Sequence, residues 1–191
     1  MNDQRKPLVL IPLAPGFEEL EAITVIDLLR RADITVVSAG LAPGPVRASR
    51  GTVHIPDTDL DTALSQEYDL VVLPGGLPGA DHLAEDPRVI ALLQRTASSG
   101  RLTAAICAAP KVLVDAGLLV GKRVTAYPGV LEPLQLVNTT LVNLPVVRDG
   151  QVITSRGPGT AMDFALTLIE ALTDVETRQR VEDGLQRSGH T

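Results

Sequence analysis

Short blocks of continuous apolar residues alternate along the chain with longer blocks of mixed polarity, which predicts strands separated by helices. The short blocks are rich in valine, isoleucine and leucine and have the length of buried strands. We expect strands at 8–13, 34–38, 68–74, 102–106 and 123–126. The more polar stretch 45–55 predicts a short hairpin, and 146–154 predicts another with Asp149 and Gly150 in its turn.

In the longer blocks, apolar residues recur at helical spacing. After a turn at Pro15 and Gly16, positions 22, 25, 26 and 29 are apolar and form one stripe. A similar stripe follows Thr160, which together with Asp163 resembles the capping box that starts a helix. Further helices are expected at 87–98, 109–117 and about 174–186.

This order of elements predicts an α/β fold with a mostly parallel central sheet covered by helices on both faces. No repeat, linker or low-complexity tract interrupts the sequence, so we expect a single domain over 1–191. Ligands of such sheets bind beyond the carboxyl ends of the strands. The turn at Pro15, the glycine-rich loop 75–79 and Cys107 all follow predicted strands, and we expect them to lie together.

Charge and cysteine content narrow the choice of partners and compartment. The 191 residues include 23 acidic and 17 basic ones, and the formal net charge of -6 argues against nucleic acid or an anionic membrane as the main partner. A single cysteine excludes an internal disulfide and suits a reducing compartment. No apolar run approaches the roughly 20 residues of a membrane span, and the predicted location is the cytoplasm.

Cys107 is the principal candidate for chemistry, because it lies where a predicted strand ends and a helix begins. A thiol there faces unpaired backbone N–H groups and the positive end of a helix dipole, and both favour the nucleophilic thiolate. The alanines around it permit a crowded turn like the nucleophile elbow of hydrolases. The alternative is a buried cysteine that acts only as a small hydrophobic residue.

Gly75 and Gly76 end the neighbouring predicted strand, and glycine allows backbone N–H groups to approach a ligand closely. We predict that the N–H groups of Gly76 and Ala108 form an oxyanion hole, and that Gly75 lies against the substrate. A plain tight turn is the alternative. The loop also resembles a phosphate cradle, but the Gly-Lys-Ser/Thr ending of a P-loop is absent.

Glu21 is the predicted partner of the cysteine. Glu18, Glu19 and Glu21 all occupy the first turn of the first helix, where the helix dipole alone explains acidic residues. Glu21 differs because it lies at the edge of the apolar stripe, in line with Val25. Burial should raise its pKa, so that it could hydrogen-bond the Cys107 sulfur or act as a general acid or base near neutral pH.

A histidine base is missing from this set. Cysteine hydrolases and amidotransferases need one beside the nucleophile. The histidines at 54, 82 and 190 do not adjoin Cys107 in the sequence, and we expect each on the surface. His82 follows the glycine-rich loop and is the one that could turn toward it.

Four segments together resemble the ThiJ/PfpI superfamily, and within it the DJ-one branch and its bacterial relatives. The cysteine elbow and the Pro-Gly-Gly loop mark the superfamily, whereas the other two segments point to the branch. The similarity runs from about Pro7 to Leu172. The segments are Ala104-Ala-Ile-Cys-Ala-Ala-Pro110, Leu73-Pro-Gly-Gly76, Gly16-Phe-Glu-Glu-Leu-Glu21 and Thr154-Ser-Arg-Gly-Pro-Gly-Thr160.

The resemblance implies a flavodoxin-like three-layer sandwich that forms a homodimer. It implies that Cys107 is the nucleophile, Glu21 its acid–base partner, and Gly76 and Ala108 the oxyanion donors. Members are described as glyoxalase III-type enzymes and, with dispute, as protein deglycases that act on methylglyoxal, glyoxal or their early adducts. Others are described as oxidative-stress sensors with chaperone activity.

Two further implications concern the rim of the site. Arg50 and Arg156 match family positions near the cysteine and are expected at the pocket mouth or in the dimer contact. Protease-like members carry a histidine where this chain has Ala108, so peptidase activity is not expected. Tyr127 stands where the DJ-one branch often has histidine, and a phenol titrates near ~10 against ~6.5 for imidazole. Tyr127 is therefore expected to orient the substrate rather than act as a base.

The leading functional hypothesis is aldehyde chemistry without a metal, glutathione, nucleotide or other cofactor. The Cys107 thiolate adds to a 2-oxoaldehyde, Glu21 moves a proton between the two carbons, and water opens the resulting thioester. The second hypothesis is a redox sensor or chaperone whose low-pKa cysteine is oxidised to sulfinic acid. An amidase or peptidase is the third and is disfavoured by the lack of a histidine partner.

Overall fold

A computed structural model of the protein describes residues 5–134 and 136–187. Its core is a seven-stranded sheet in the order β10-β11-β7-β6-β1-β2-β5, in which neighbouring strands are parallel except for the pair β10 and β11. Two small two-stranded sheets, β3 with β4 and β8 with β9, lie outside it. The strands are β1 (Leu8–Leu13), β2 (Thr35–Gly40), β3 (Val46–Arg47), β4 (Val53–His54), β5 (Thr58–Asp59), β6 (Leu70–Leu73), β7 (Leu102–Ile106), β8 (Arg123–Val124), β9 (Thr140–Leu141), β10 (Val146–Asp149) and β11 (Val152–Ser155).

Helices cover both faces of the sheet and bury a separate apolar core against each. Successive side chains of a strand point to opposite faces, so Val9 and Ile11 join one core and Leu10 joins the other. The first core includes α1, α6 and α7, and the second includes α2 to α5. The helices are α1 (Glu19–Arg31), α2 (Leu60–Ala63), α3 (Gly79–Glu85), α4 (Pro87–Ser98), α5 (Pro110–Asp115), α6 (Ala161–Leu172) and α7 (Val175–Gly184).

The predicted fold class, a flavodoxin-like sandwich with a mostly parallel sheet, is confirmed. The bounds predicted for β1, α4 and β7 agree with the structure, and the hairpins predicted at 45–55 and 146–154 are both present. In the second hairpin Asp149 pairs with Val152, so the two-residue loop is Gly150-Gln151 rather than Asp149-Gly150. Gly150 has the positive φ of 61° that such a turn requires.

Two other expectations differ from the structure for identifiable reasons. The run 123–126 contributes only the short strand β8, which lies outside the main sheet, because the side chains of Asp149 and Thr154 accept the N–H groups of Arg123 and Thr125. The capping box at the start of α6 does not form. Its Thr160 hydroxyl is instead hydrogen-bonded to Ser155 and Gly157.

The topology brings the predicted site together, because β7, β6 and β1 are adjacent parallel strands. Their carboxyl ends lead into Cys107, the loop 74–79 and the loop 14–18, as expected for a ligand site of an α/β sheet. The hairpin of β3 and β4 packs on the same edge, where Ser49 N–H donates to the Phe17 carbonyl at 2.8 Å. In the described part of the chain, no helix is long and apolar enough to cross a membrane.

Candidate active site

Cys107 occupies a strained turn at the end of β7. Its φ of +62° lies in the left-handed region, which costs about 1–2 kcal/mol for a residue that carries a Cβ. Two backbone hydrogen bonds hold the turn: Cys107 N–H donates to Ser155 O at 3.0 Å, and Tyr127 N–H donates to Cys107 O at 2.9 Å. The side chain is half-buried, and the geometry is that of a nucleophile elbow.

Glu21 approaches the sulfur from α1. The first turn of this helix places Glu21 on the buried side, where the residue has 0% exposure. Its Oε2 accepts the Gly75 N–H at 2.8 Å, and its carboxyl is hydrogen-bonded to the Cys107 side chain. Oε1 is buried and has no nitrogen or oxygen partner among the described residues. In the described structure the buried carboxyl thus keeps one oxygen without a hydrogen-bond partner beside the Cys107 side chain.

The glycine-rich loop fits against both groups because it lacks side chains. A Cβ on Gly75 would lie 2.6 Å from the Cys107 Cβ and 2.8 Å from Glu21 Oε2. A Cβ on Gly76, whose φ is +86°, would lie 2.4 Å from the Glu18 nitrogen. The N–H groups of Gly76 and Ala108 both donate hydrogen bonds to the Cys107 sulfur. The loop thus supplies one amide to the carboxyl and another to the nucleophile.

The Cys107–Glu21 pair holds its protons unusually tightly. Burial raises the pKa of the Glu21 carboxyl to about 7, against the opposing effect of the Gly75 amide. Burial, and then the charge of Glu21, raise the pKa of the Cys107 thiol to about 12, although the amides of Gly76 and Ala108 act in the opposite sense. The expectation of a simply depressed thiol pKa is therefore wrong, because burial and a neighbouring carboxylate outweigh the backbone amides.

Between pH about 7 and about 12 the two groups instead share a single proton. Three features favour its transfer to Glu21 when the sulfur reacts. The carboxyl is fully buried, its Oε1 lacks a partner, and the two amide donors stabilise charge on the sulfur. Glu21 is thus placed to take the thiol proton as a general base, so that a free low-pKa thiolate is not required.

The sulfur opens onto a cavity of about 410 Å³. Its floor carries Cys107, Ala108 and Gly76, and Tyr127 forms part of the wall. The remaining lining residues are Glu18, Ser49, Arg50, Leu77, Val130 and Pro158. The cavity is large enough for a small carbonyl compound and presents both polar and apolar walls to it.

Five of the eight predicted site residues line this cavity, and Glu21, Gly75 and Arg156 do not. Arg50 lines it, with its Nε 3.9 Å from Glu18 Oε2. Arg156 lines adjoining pockets on the far side of Tyr127. Gly75 is buried behind the sulfur, and its N–H is taken by Glu21 rather than directed at a ligand.

No histidine lines the Cys107 cavity within the described residues. His82 faces another pocket, and its Nδ1 lies 2.9 Å from the Pro15 carbonyl oxygen. His54 is bonded to Thr52 and packs edge-on against Phe17. His190 lies outside the described residues. The described structure offers no histidine base to a hydrolase mechanism.

Sequence reasoning missed Glu18 as a site residue. Acidic side chains in a first helical turn are explained by the dipole, so nothing in the local pattern separates Glu18 from Glu19. In the structure Glu18 lines the cavity, whereas the Glu19 carboxylate accepts hydrogen bonds from Arg50 N–H and the Thr52 hydroxyl. The Ser49 hydroxyl of the adjoining hairpin contacts both carboxylates, at 2.8 Å from Glu18 Oε2 and 3.2 Å from Glu19 Oε2, so the two residues differ in that only Glu18 lines the cavity.

A parallel α/β sandwich with a lone cysteine in a left-handed elbow, beside a buried carboxyl and a glycine-rich loop, defines a class of cysteine-centred α/β proteins. The chain belongs to the DJ-1/PfpI family, whose model matches residues 7–171. It is 49% identical over 179 residues to Protein dj-1beta of Drosophila melanogaster, a match that covers 92% of this chain and 95% of the relative.

Two further comparisons agree with this assignment. The crystal structure of Drosophila melanogaster DJ-1beta superimposes with a TM-score of 0.90 at 47% identity, and the match covers 95% of this chain and 98% of that one. A Caenorhabditis elegans relative named Glutathione-independent glyoxalase DJR-1.2 is 38% identical over 176 residues, with 92% of this chain and 93% of the relative covered. The similarity to the DJ-1 branch therefore extends over most of the chain.

Proposed function

We propose that this protein is a cofactor-independent glyoxalase of the glyoxalase III type, which converts methylglyoxal or glyoxal to a hydroxy acid. The observation that carries the proposal is the arrangement around Cys107. A half-buried sulfur accepts two amide hydrogen bonds, contacts a buried carboxyl, and opens onto a cavity of about 410 Å³. The name of the Caenorhabditis elegans relative supports the same activity class.

The first step is addition of sulfur to the aldehyde. Glu21 takes the thiol proton as Cys107 Sγ forms a bond to the aldehyde carbon, C1. We propose that the N–H groups of Gly76 and Ala108, which act on the Cys107 sulfur, stabilise the negative charge that develops on the aldehyde oxygen. Protonation of that oxygen completes a hemithioacetal, and loss of the proton from Glu21 restores its carboxylate.

The second step is an internal oxidation and reduction of the bound substrate. A proton leaves C1 and a proton is added to C2 through an enediol, so C1 reaches the acyl level while C2 becomes an alcohol. Water then opens the thioester, which releases the hydroxy acid and regenerates the thiol. The same addition to an early glycation adduct would give deglycase activity.

Turnover of methylglyoxal to lactate by wild type and Cys107→Ser tests the proposal. The serine variant is expected to lose activity by at least the ~10²–10⁴-fold typical of a removed catalytic group, because its hydroxyl is a much weaker nucleophile than the thiol. Circular dichroism and thermal unfolding verify that the variant is folded. Lactate formation by folded Cys107→Ser at the wild-type rate would exclude the mechanism.

A second candidate function, redox sensing, rests on the same sulfur. Cys107 is the one cysteine of the chain, and it is reachable from the cavity. Oxidation by peroxide would convert the thiol to sulfenic acid with release of water, and a second peroxide would give sulfinic acid. Gain of two oxygens at Cys107 under mild peroxide, in a protein that does not consume methylglyoxal, would favour sensing over catalysis.

Three further properties remain predictions that accompany the proposed function. We expect one domain over 1–191, a cytoplasmic location and a homodimer. Apolar side chains exposed on neighbouring elements support a dimer, among them Leu20 and Ile23 on α1 and Ile55 beside the β3–β4 hairpin. Tyr127 is proposed to orient the substrate, because its side chain lines the cavity beside Cys107.

A further inference from the structure

We propose that Glu18, rather than Glu21, carries the hydrogen between C1 and C2 of the substrate; this inference rests on the proposed glyoxalase function. Among the described residues that line the Cys107 cavity, Glu18 is the one with a carboxylate. Glu21 has 0% exposure and does not line the cavity. A substrate held on the sulfur therefore faces Glu18, whereas Glu21 lies behind the sulfur.

The surroundings of Glu18 fix its position and leave part of it free. Its backbone N–H donates to Gly75 O at 2.9 Å, which holds the residue against the glycine-rich loop. Its Oε2 accepts the Ser49 hydroxyl at 2.8 Å, and Arg50 Nε lies 3.9 Å from the same oxygen. Within the described residues its Oε1 accepts no hydrogen bond. One oxygen is anchored and the other is available to the ligand.

The other groups around the cavity are poorly suited to this transfer. Tyr127 presents a phenol hydroxyl to the cavity, a group suited to hydrogen-bonding a substrate oxygen rather than to removing a proton from carbon. A guanidinium stays protonated, so Arg50 cannot accept a proton from the substrate. The Glu21 carboxyl is engaged with the Gly75 N–H and the Cys107 side chain. Because no histidine lines the cavity in the described structure, Glu18 is the remaining acid–base group that a bound substrate meets.

The step is balanced without an external oxidant or reductant. Glu18 removes the C1 proton of the hemithioacetal, and the C1–H electrons form the C1=C2 bond of an enediolate as charge moves to the C2 oxygen. Glu18 then returns the proton to C2, while the hydroxyl proton on the C1 oxygen passes to the C2 oxygen. The C1 carbonyl forms as the thioester, and Glu18 ends as a carboxylate.

The variant Glu18→Gln tests this role, with Glu19→Gln as its matched control. Glu19 precedes Glu21 on the same helical turn but does not line the cavity. Three quantities are measured: kcat and KM for lactate formation from methylglyoxal, deuterium at C2 of lactate made in D2O, and protection of Cys107 from iodoacetamide by methylglyoxal. Protection reports the addition step, which precedes the hydrogen transfer.

Glu18→Gln is expected to lower kcat on the order of 10²–10⁴-fold with little change in KM, to retain protection of Cys107, and to leave thermal unfolding unchanged. Glu19→Gln should stay near wild type in all three measurements. Wild-type kcat in Glu18→Gln, with Cys107→Ser inactive, would overturn this inference and leave the proposed function intact. If methylglyoxal no longer protected Cys107 in Glu18→Gln, the inference would also be overturned, because the carboxylate would then be needed for the addition step rather than for the hydrogen transfer. If wild type makes no lactate, the proposed function and this inference fall together.

Discussion

At the scale of single residues, the proposed function depends on one proton shared by Cys107 and Glu21. In water each group would titrate as an ordinary thiol or carboxyl. In the folded protein, burial raises the pKa of both. Because the pKa of the Glu21 carboxyl is about 7, the pair goes from holding two protons to holding one as the pH rises through neutrality. The reactivity of the site should therefore depend on the pair rather than on the cysteine alone.

The first prediction is that the rate of Cys107 alkylation by iodoacetamide rises with pH around a midpoint near 7, where the pair loses its first proton. Glu21→Gln should move the midpoint upward, because burial still raises the pKa of the remaining thiol and no carboxylate is present to accept its proton. Glu19→Gln should leave the midpoint in place. An unchanged midpoint in Glu21→Gln would show that the two groups do not share a proton.

The second prediction concerns stability. The folded state keeps the Glu21 proton up to pH about 7, whereas the unfolded state loses it near 4.5, so this group makes the protein less stable as pH rises from 4.5 to 7. The full penalty is roughly 3 kcal/mol at one pKa unit per ~1.4 kcal/mol. Urea unfolding should show that Glu21→Gln gains stability relative to wild type by up to this amount across that interval.

Glu19 provides the opposite case as a control for this measurement. Against the opposing effect of burial, hydrogen bonds from its own backbone N–H, from Arg50 N–H and from the Thr52 and Ser49 hydroxyls hold the pKa of its carboxyl down to about 2. Its contribution to stability is present above 4.5 and is lost as pH falls through about 2. Glu19→Gln should therefore leave the 4.5–7 interval unchanged. A wild-type slope in Glu21→Gln would mean that another group titrates there.

At the scale of elements, the site depends on the close approach of α1, the loop after β6 and the elbow after β7. Gly76 combines a φ of +86° with backbone atoms 2.4–2.7 Å from a built Cβ, so neither its conformation nor its space admits a side chain. Gly75 is equally crowded, against Cys107 and Glu21. The contact lets the loop donate amides to the sulfur and to the carboxyl at once.

The third prediction is that Gly76→Ala destabilises the fold by more than 2 kcal/mol, since overpacking alone costs about 1–3 kcal/mol and a left-handed alanine costs a further ~1 kcal/mol. Gly100→Ala is the matched control, because Gly100 has a φ of +73° with nothing within 4 Å. Gly100→Ala should lower the free energy of unfolding only by the ~1 kcal/mol cost of a left-handed alanine. Equal unfolding free energies for the two variants would contradict the contact described here.

At the scale of the whole molecule, the exposed apolar side chains near the site bear on assembly. Ile55 is 84% exposed at the end of the β3–β4 hairpin, and Leu20 is 50% exposed on α1. The hairpin and the start of α1 are joined, because Phe17 packs against His54 and its carbonyl accepts the Ser49 N–H. Apolar surface on adjoining elements is typical of an interface between copies of a chain.

The fourth prediction is that the protein sediments as a dimer of its 20.2 kDa chain and that Leu20→Glu shifts it toward monomer. A charge placed in an apolar interface is desolvated without a partner, which weakens association. Val175→Glu, on the exposed side of α7, is the control and should remain dimeric. A wild-type monomer at micromolar concentration, or a dimer that Leu20→Glu leaves intact, would place the interface elsewhere or remove it.

Much of the fold could be predicted from the periodicity of apolar residues alone. The runs at 8–13, 87–98 and 102–106 became β1, α4 and β7 with the predicted bounds, because continuous apolar runs and helical stripes each fit one kind of element. The predictions were less accurate for stretches that are short or whose structure depends on residues distant in the chain. The helix α3 follows the glycine-rich loop and has no clear apolar stripe in its sequence. The strand β8 lies outside the main sheet because its N–H groups donate to the side chains of Asp149 and Thr154.

The sequence by itself determined the α/β class, through its periodicity, and predicted the pairing of Cys107 with Glu21 through its resemblance to a known family. Only the tertiary structure decided the direction of the thiol pKa, the absence of a histidine from the cavity within the described residues, and the separation of Glu18 from Glu19. The physical reason is that burial and charge at a site are sums over groups from several elements. Packing brings those groups together from positions far apart in the chain.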